Sequence, residues 1–307
     1  MRLPPPAHDA PLPPARPGAY GTRVLPGVPY AAIPGVRPLE LDLVLPPETE
    51  GPVPCVVFLH GGGWRAGSRR SMGPAFEGAA PTPFELVAWA GVAVAGADYR
   101  LSGEALWPAQ LHDVKAAVRW LRARGGELGI DIGRIAAWGE SAGGHLAALL
   151  GLTPGDPTLE GGVGVTGPSS AVAAVAAWYA PSDLRTVAAG IGADPADPAS
   201  REALLLGAPV PSVPDAAALA SPVTHVSPGA PPFLLLHGRS DRMIACAQSE
   251  RLRDELRAAG AEVDLHVYDG ADHMWLGAPE AARETARETA RDALDRTIAF
   301  LRERLHI

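Results

Sequence analysis

The chain has 307 residues, 47% of them apolar and 20% charged, with a formal net charge of −8. That length and content suffice for a large buried core in one domain, and the negative balance argues against nucleic acid or an anionic membrane surface as partner. No apolar run approaches the length that spans a bilayer. The start, Met1-Arg2-Leu3-Pro4-Pro5-Pro6, lacks the apolar core of a signal peptide, and two cysteines make no disulfide framework. The expectation is a cytoplasmic protein with free thiols at Cys55 and Cys246.

Residues 1–35 are proline-rich with little periodicity and read as an extended N-terminal arm, leaving 36–307 as one domain. Leu39, Leu41, Leu43 and Leu45 alternate with Glu40 and Asp42, the pattern of a strand with one apolar face. Residues 55–59 and 92–97 are unbroken apolar runs, as in strands buried on both faces. Pro108 then opens a helix in which Leu111, Val114, Val118 and Leu121 fall at helical spacing. Strands over 134–138 and 172–178 follow, with a helical stretch from His145 onward between them. From Pro181 to Pro231 the pattern breaks into Pro-, Gly- and Ala-rich pieces, with short helices expected over 199–206 and 214–220. An insertion here lies above the carboxyl ends of parallel strands and reads as a small cap. Strands over 233–236 and 263–268 precede a last helix, 280–305, whose stripe is Ala286, Ala290, Leu294, Ile298, Leu301 and Leu305. This alternation predicts an α/β fold on a mostly parallel central sheet flanked by helices.

Chemistry concentrates at the ends of these strands. Gly139-Glu140-Ser141-Ala142-Gly143 sits between a strand pattern and a helix pattern, where a sharp turn strains the serine backbone and lifts Oγ clear of the sheet. Upstream, His60-Gly61-Gly62-Gly63-Trp64 follows a buried strand, and its glycines allow close backbone approach to a ligand. The N–H groups of Gly62, Gly63 and Ala142 are candidates to receive the charge of a tetrahedral oxyanion, with Gly61 as a substitute. A serine nucleophile needs a base and an orienting acid, here in the order Ser, Asp, His. Asp241, in His237-Gly238-Arg239-Ser240-Asp241, and His273, in Asp269-Gly270-Ala271-Asp272-His273, each follow a strand and complete the candidate triad with Ser141. His60 and His237 close strands, so structural hydrogen bonds are expected of them. His145 lies on the elbow helix, and Asp272 adjoins His273 but points elsewhere. Trp64 is expected to wall the acyl pocket, Glu140 to bond neighbouring backbone away from the substrate, and Asp98 with Arg100 to form a structural ion pair or loop anchor.

These segments, with Asp98-Tyr99-Arg100-Leu101, resemble the α/β-hydrolases. More narrowly they resemble the carboxylesterase branch typified by hormone-sensitive-lipase-like and acetyl or feruloyl esterase-like enzymes, over about residues 35–305. The resemblance implies an α/β-hydrolase fold with a small cap, a serine esterase acting on small-molecule acyl esters, and neither metal nor organic cofactor. Met243-Ile244 stands where that branch often carries a Val-Pro-like pair. The alternative is an arylformamidase, whose family has a similar His-Gly-Gly-x-Trp motif and would use the same triad on N-formylkynurenine. Oligomeric state is left open by the sequence.

Overall fold

The computed structural model describes residues 6–276 and 282–307. Among them nine strands form one sheet: β1 (Arg16–Pro17), β2 (Arg23–Ala31), β3 (Leu39–Leu45), β4 (Val53–Leu59), β5 (Ala93–Ala97), β6 (Ile130–Glu140), β7 (Val175–Trp178), β8 (Phe233–Gly238) and β9 (Val263–Tyr268). Their spatial order is β1-β2-β3-β5-β4-β6-β7-β8-β9; β1 to β3 and the β3–β5 pair are antiparallel, and all pairs from β5 to β9 are parallel. Eight helices accompany them: α1 (Pro83–Trp89), α2 (Ala109–Arg124), α3 (Ala142–Leu152), α4 (Val187–Gly190), α5 (Arg201–Leu206), α6 (Pro214–Leu219), α7 (Ala247–Ala258) and α8 (Ala282–Arg304). This is the α/β-hydrolase fold.

Alternation along each parallel strand divides the core in two. Cys55, Val57 and Leu59 face one side with Leu111 and Val114 of α2 and Leu146 and Leu149 of α3. Val56 and Phe58 face the other with Val87 of α1 and Leu294 and Leu301 of α8. Strands buried on both faces have no polar face, which is why β4, β5 and β7 read as continuous apolar runs. The expected terminal helix runs Ala282–Arg304; its proposed first residues, Glu280 and Ala281, lie outside the described residues.

The N-terminal arm needs correction. Residues 23–31 form β2, paired antiparallel with β3, and bury Leu25, Val28, Tyr30 and Ala31. Pro26 and Pro29 hide this from a sequence reading. The β2–β3 register shifts between Leu25 and Val28 and again between Pro29 and Ala31, and β1 covers β2 only at Val24 and Arg23. Prolines are tolerated at such bulges and on an uncovered edge. The insertion between β7 and β8 carries α4, α5 and α6, so short helices stand near both positions the sequence indicated.

Parallel register brings the strand ends together: Leu59 pairs with Gly139, and Glu140 with Trp178. The loops after β4, β6, β7, β8 and β9 therefore emerge on one edge of the sheet, the carboxyl edge where such folds bind ligands.

Candidate active site

The turn from β6 into α3 is held by sterics. Ser141 has φ 52° and ψ −119°, a region that costs a non-glycine residue roughly 1–3 kcal/mol and persists only where the surroundings impose it. They do. A Cβ at Gly143 would meet the Leu59 carbonyl oxygen at 2.0 Å, and one at Gly139 would meet that of Gly143 at 2.3 Å. The Ser141 N–H donates to the Trp178 carbonyl at 2.8 Å, and its own carbonyl accepts from the His145 N–H at 3.0 Å.

His273 stands in the loop after β9, in a short turn, His273–Trp275, whose start is fixed by the Asp272 carboxylate accepting from the His273 N–H at 2.7 Å. Asp272 also holds Arg242, so it shapes the loop. The His273 ring spans the two other candidates: Nε2 lies 3.0 Å from Ser141 Oγ, and Nδ1 lies 2.7 Å from Asp241 Oδ2. Asp241 is itself fixed. Its Oδ1 accepts from the backbone N–H groups of Met243 and Ile244, both at 2.8 Å. His237 Nε2 lies 3.2 Å from Oδ2 and 2.8 Å from the Ile244 carbonyl, while His237 Nδ1 meets Ser249 Oγ at 2.7 Å. Burial raises the Asp241 carboxyl, but the hydrogen bonds from His237 and His273 outweigh it and hold the group well below the usual carboxylate range.

Opposite the serine, Gly62 and Gly63 have φ of 110° and 61°. A Cβ at Gly62 would lie 2.1 Å from the Ala66 carbonyl oxygen, so this loop requires glycine on both conformational and steric grounds. Ala142 is the first residue of α3, where N–H groups have no intrahelical partner. Among the described residues the N–H groups of Gly62, Gly63 and Ala142 have no hydrogen-bond acceptor. The cavity of about 400 Å³ on which Ser141 opens is lined by Gly61, Gly62, Gly63, Arg65, Ala66, Glu140, Ser141, Tyr179, Arg201, Met243, His273 and Met274.

Trp64 does not line it, contrary to expectation. With φ 57° it continues the positive-φ run of Gly62 and Gly63, and the indole turns into the core, edge-on to His145 with ring centroids 5.0 Å apart. Glu140 bonds to backbone as expected, accepting from Gly73 N–H at 3.1 Å and Gly61 N–H at 3.4 Å, yet it lines the cavity instead of pointing away. The Tyr179 hydroxyl donates to Glu140 at 2.6 Å, and the Tyr179 ring packs edge-on against His273 at 4.7 Å. Burial raises the Glu140 carboxyl, opposed by the Tyr179 hydroxyl and the Gly73 and Gly61 N–H groups. Asp98 and Arg100 do not pair with each other: Asp98 takes Arg69 at 2.6 Å, and Arg100 takes Asp113 at 2.7 Å.

Tyr179, Arg201 and Met274 are lining residues that the sequence reading missed. Tyr179 directly follows β7, and a residue at the carboxyl end of a parallel strand is the one signal that marks it. Arg201 opens a six-residue helix in the insertion, and no motif points to it. Among the described residues, no group of three or more His, Cys, Asp or Glu side chains is placed to hold a metal ion, and no helix is long and apolar enough to cross a membrane.

The BD-FAE family model matches residues 41–256. The probable carboxylic ester hydrolase LipM of Mycobacterium tuberculosis is 33% identical over 225 residues, 72% of this chain and 49% of that protein. The chain spans about half the length of the curated relatives it matches. A truncated carbohydrate esterase from gut microbiota superposes with a TM-score of 0.76 at 27% identity, over 95% of this chain and 100% of that one. The propionate-bound esterase Est2 of Thermogutta terrifontis does so with a TM-score of 0.71 at 26% identity, over 92% and 94%. With a family match across most of its length and the fold that accompanies it, the chain belongs to the BD-FAE family of α/β-hydrolases.

Proposed function

We propose that the protein is a serine carboxylesterase that hydrolyses short-chain acyl esters through an acyl-enzyme. The observation that carries this reading is the unbroken chain Ser141 Oγ–His273 Nε2–Asp241 Oδ2, at 3.0 and 2.7 Å, ending at a cavity lined by Gly62 and Gly63, whose N–H groups, like that of Ala142 beside Ser141, have no acceptor among the described residues. His273 Nε2 takes the Ser141 proton as Oγ attacks the ester carbonyl. Asp241 keeps the ring in the tautomer with its proton on Nδ1 and stabilises the imidazolium that forms. The N–H groups of Gly62, Gly63 and Ala142 receive the oxyanion, each contributing about 3–4 kcal/mol in the transition state. His273 then protonates the departing alcohol, and water attacks the acyl-enzyme by the reverse route.

A short acyl group is supported by the size of the cavity, about 400 Å³, with Tyr179, Met243 and Met274 in its lining, and propionate is bound in the related Est2. The test is kcat/KM over p-nitrophenyl esters from acetate to palmitate, with N-formylkynurenine assayed beside them. Preference for acetate to butyrate is expected. Preference for decanoate refutes the small acyl site, and turnover of the formamide alone refutes the esterase.

A further inference from the structure

We infer that the substrate carries a carboxylate outside the scissile ester, held at the mouth of the Ser141 cavity by Arg65 and Arg201. This rests on the esterase reading above. Most arginines near the strand ends are already committed. Arg69 meets Glu40, Asp42 and Asp98, at 2.6–2.8 Å, and Arg100 forms a bidentate pair with the buried Asp113. The two that line the cavity are different. Among the described residues Arg65 makes no side-chain hydrogen bond or ion pair and stands exposed. Arg201 gives one hydrogen bond, from Nη2 to the Met243 carbonyl at 3.2 Å. Its ion pair with the buried Glu202 is long, Nε to Oε1 4.0 Å, and includes no hydrogen bond. A guanidinium has five N–H donors in a planar fork, so most of Arg201's are unspent.

Arg201 is also built into the site. Its stem lies against the oxyanion loop so closely that a Cβ on Gly63 would stand 2.7 Å from Arg201 Cδ. The insertion thus delivers a cation to the glycines beside Ser141, in a chain whose net charge is −8. Among the described residues the one carboxylate lining the cavity, Glu140, lies buried and is occupied by the Tyr179 hydroxyl and the Gly73 and Gly61 N–H groups. Two cations at the rim and a committed anion within fit a ligand carboxylate, which an arginine fork binds in two parallel hydrogen bonds.

Matched substrate pairs test this and locate the anion: 4-nitrophenyl hemisuccinate against 4-nitrophenyl methyl succinate for the acyl side, and 4-acetoxybenzoate against 4-acetoxybenzamide for the alcohol side. Spontaneous hydrolysis is subtracted in each case. In one pair at least, kcat/KM is expected to favour the anion about tenfold or more at low salt, and the advantage should shrink as salt screens the exposed rim. R201Q and R65Q should each lower the anion-to-neutral ratio at least about threefold, and R201K should restore part of it. Arg65 is exposed, so R65Q reads the effect even where R201Q disturbs the insertion. A wild-type ratio of one or less in both pairs overturns the inference, as does a ratio that neither variant changes. If no ester is turned over at all, the esterase reading itself fails, which is a separate result.

Discussion

The elbow and the insertion meet across one cavity but are held in opposite ways. At the elbow, Gly139, Gly143 and Gly144 each leave less than 3 Å for a Cβ, and all residues of α3 are buried. The insertion between β7 and β8 has helices of four, six and six residues, and at Gly192 nothing lies within 4 Å of where a Cβ would be. The proposed nucleophile stands on backbone with no room for another arrangement, whereas the insertion, built of short pieces, adds Arg201 alone to the lining of the cavity. Chemistry needs precision of about half an ångström, and selectivity is tuned on segments where change is inexpensive.

The sharpest test of this difference is at the nucleophile. Ser141→Ala should lower ester turnover about 10⁴-fold or more while leaving the melting temperature unchanged within error. A variant retaining a tenth of wild-type kcat would remove Ser141 from the role. Asp241→Asn should cost about 10⁴-fold in kcat by leaving His273 in the wrong tautomer, with little change in KM. Equal damage to KM would place Asp241 in substrate binding instead.

Glycine substitutions set the two regions directly against each other. Gly143→Ala forces a Cβ onto the Leu59 carbonyl oxygen at 2.0 Å, so backbone must move, and a loss of about 3 kcal/mol or more is expected in denaturant unfolding. Gly192→Ala in the insertion has φ 71° but open space around it, and should cost only about 1–2 kcal/mol from the left-handed conformation. Equal losses would mean that the elbow relaxes as freely as the insertion.

One histidine ties the two regions together. His145 on α3 donates from Nε2 to the Ala220 carbonyl of the insertion at 2.6 Å. Burial lowers its pKa from 6.5 to about 4, and burial does the same to His60 beneath the glycine loop. Both are neutral when folded and take up protons when unfolded. Their stabilisation is therefore complete above pH 6.5 and is lost as pH falls from 6.5 towards 4, by about 3 kcal/mol each. Urea midpoints from pH 7 to pH 4 should fall accordingly, and His145→Gln should flatten the slope. A wild-type midpoint independent of pH over that range contradicts the buried neutral pair.

Much of the site was legible because its residue types leave few alternatives. A serine between small residues at a strand–helix junction, and an aspartate and a histidine each just past a later strand, are demands of the chemistry that appear as spacing. Trp64 was misplaced because nothing in its neighbours' identities reveals that the residue after two positive-φ glycines also takes a positive φ. β2 was missed because Pro26 and Pro29 mask a strand whose bulges accommodate them. Arg201 was invisible for another reason: it reaches the cavity through a long-range contact with Gly63, and such contacts have no local signature. Glu140 shows the limit of a local rule, since a residue before the nucleophile can still line the cavity once Tyr179 and Gly73 fix its carboxylate.

The smallest expected effect lies at the rim. Met243 is among the residues lining the cavity and is 40% exposed. Its backbone N–H, however, is bound to Asp241 Oδ1 at 2.8 Å and its carbonyl accepts from Arg201 at 3.2 Å, so the main chain here holds the proposed triad acid and the rim arginine while the thioether does neither. Met243→Ala keeps the former and removes the latter. An exposed truncation of this kind costs little stability, within about 0.5 kcal/mol. The wider mouth should raise kcat/KM for p-nitrophenyl hexanoate relative to butyrate by about fivefold, because two methylenes at a solvent-open mouth gain only a fraction of the roughly 1–3 kcal/mol that each is worth in a fully apolar site. Chain-length profiles of the two proteins, measured side by side, decide it. An unchanged profile would place the limit on acyl length deeper, at Tyr179 or Met274. A collapse of kcat on every ester would mean that the Asp241 support had been disturbed, and that the division between rigid chemistry and adjustable rim does not hold at this residue.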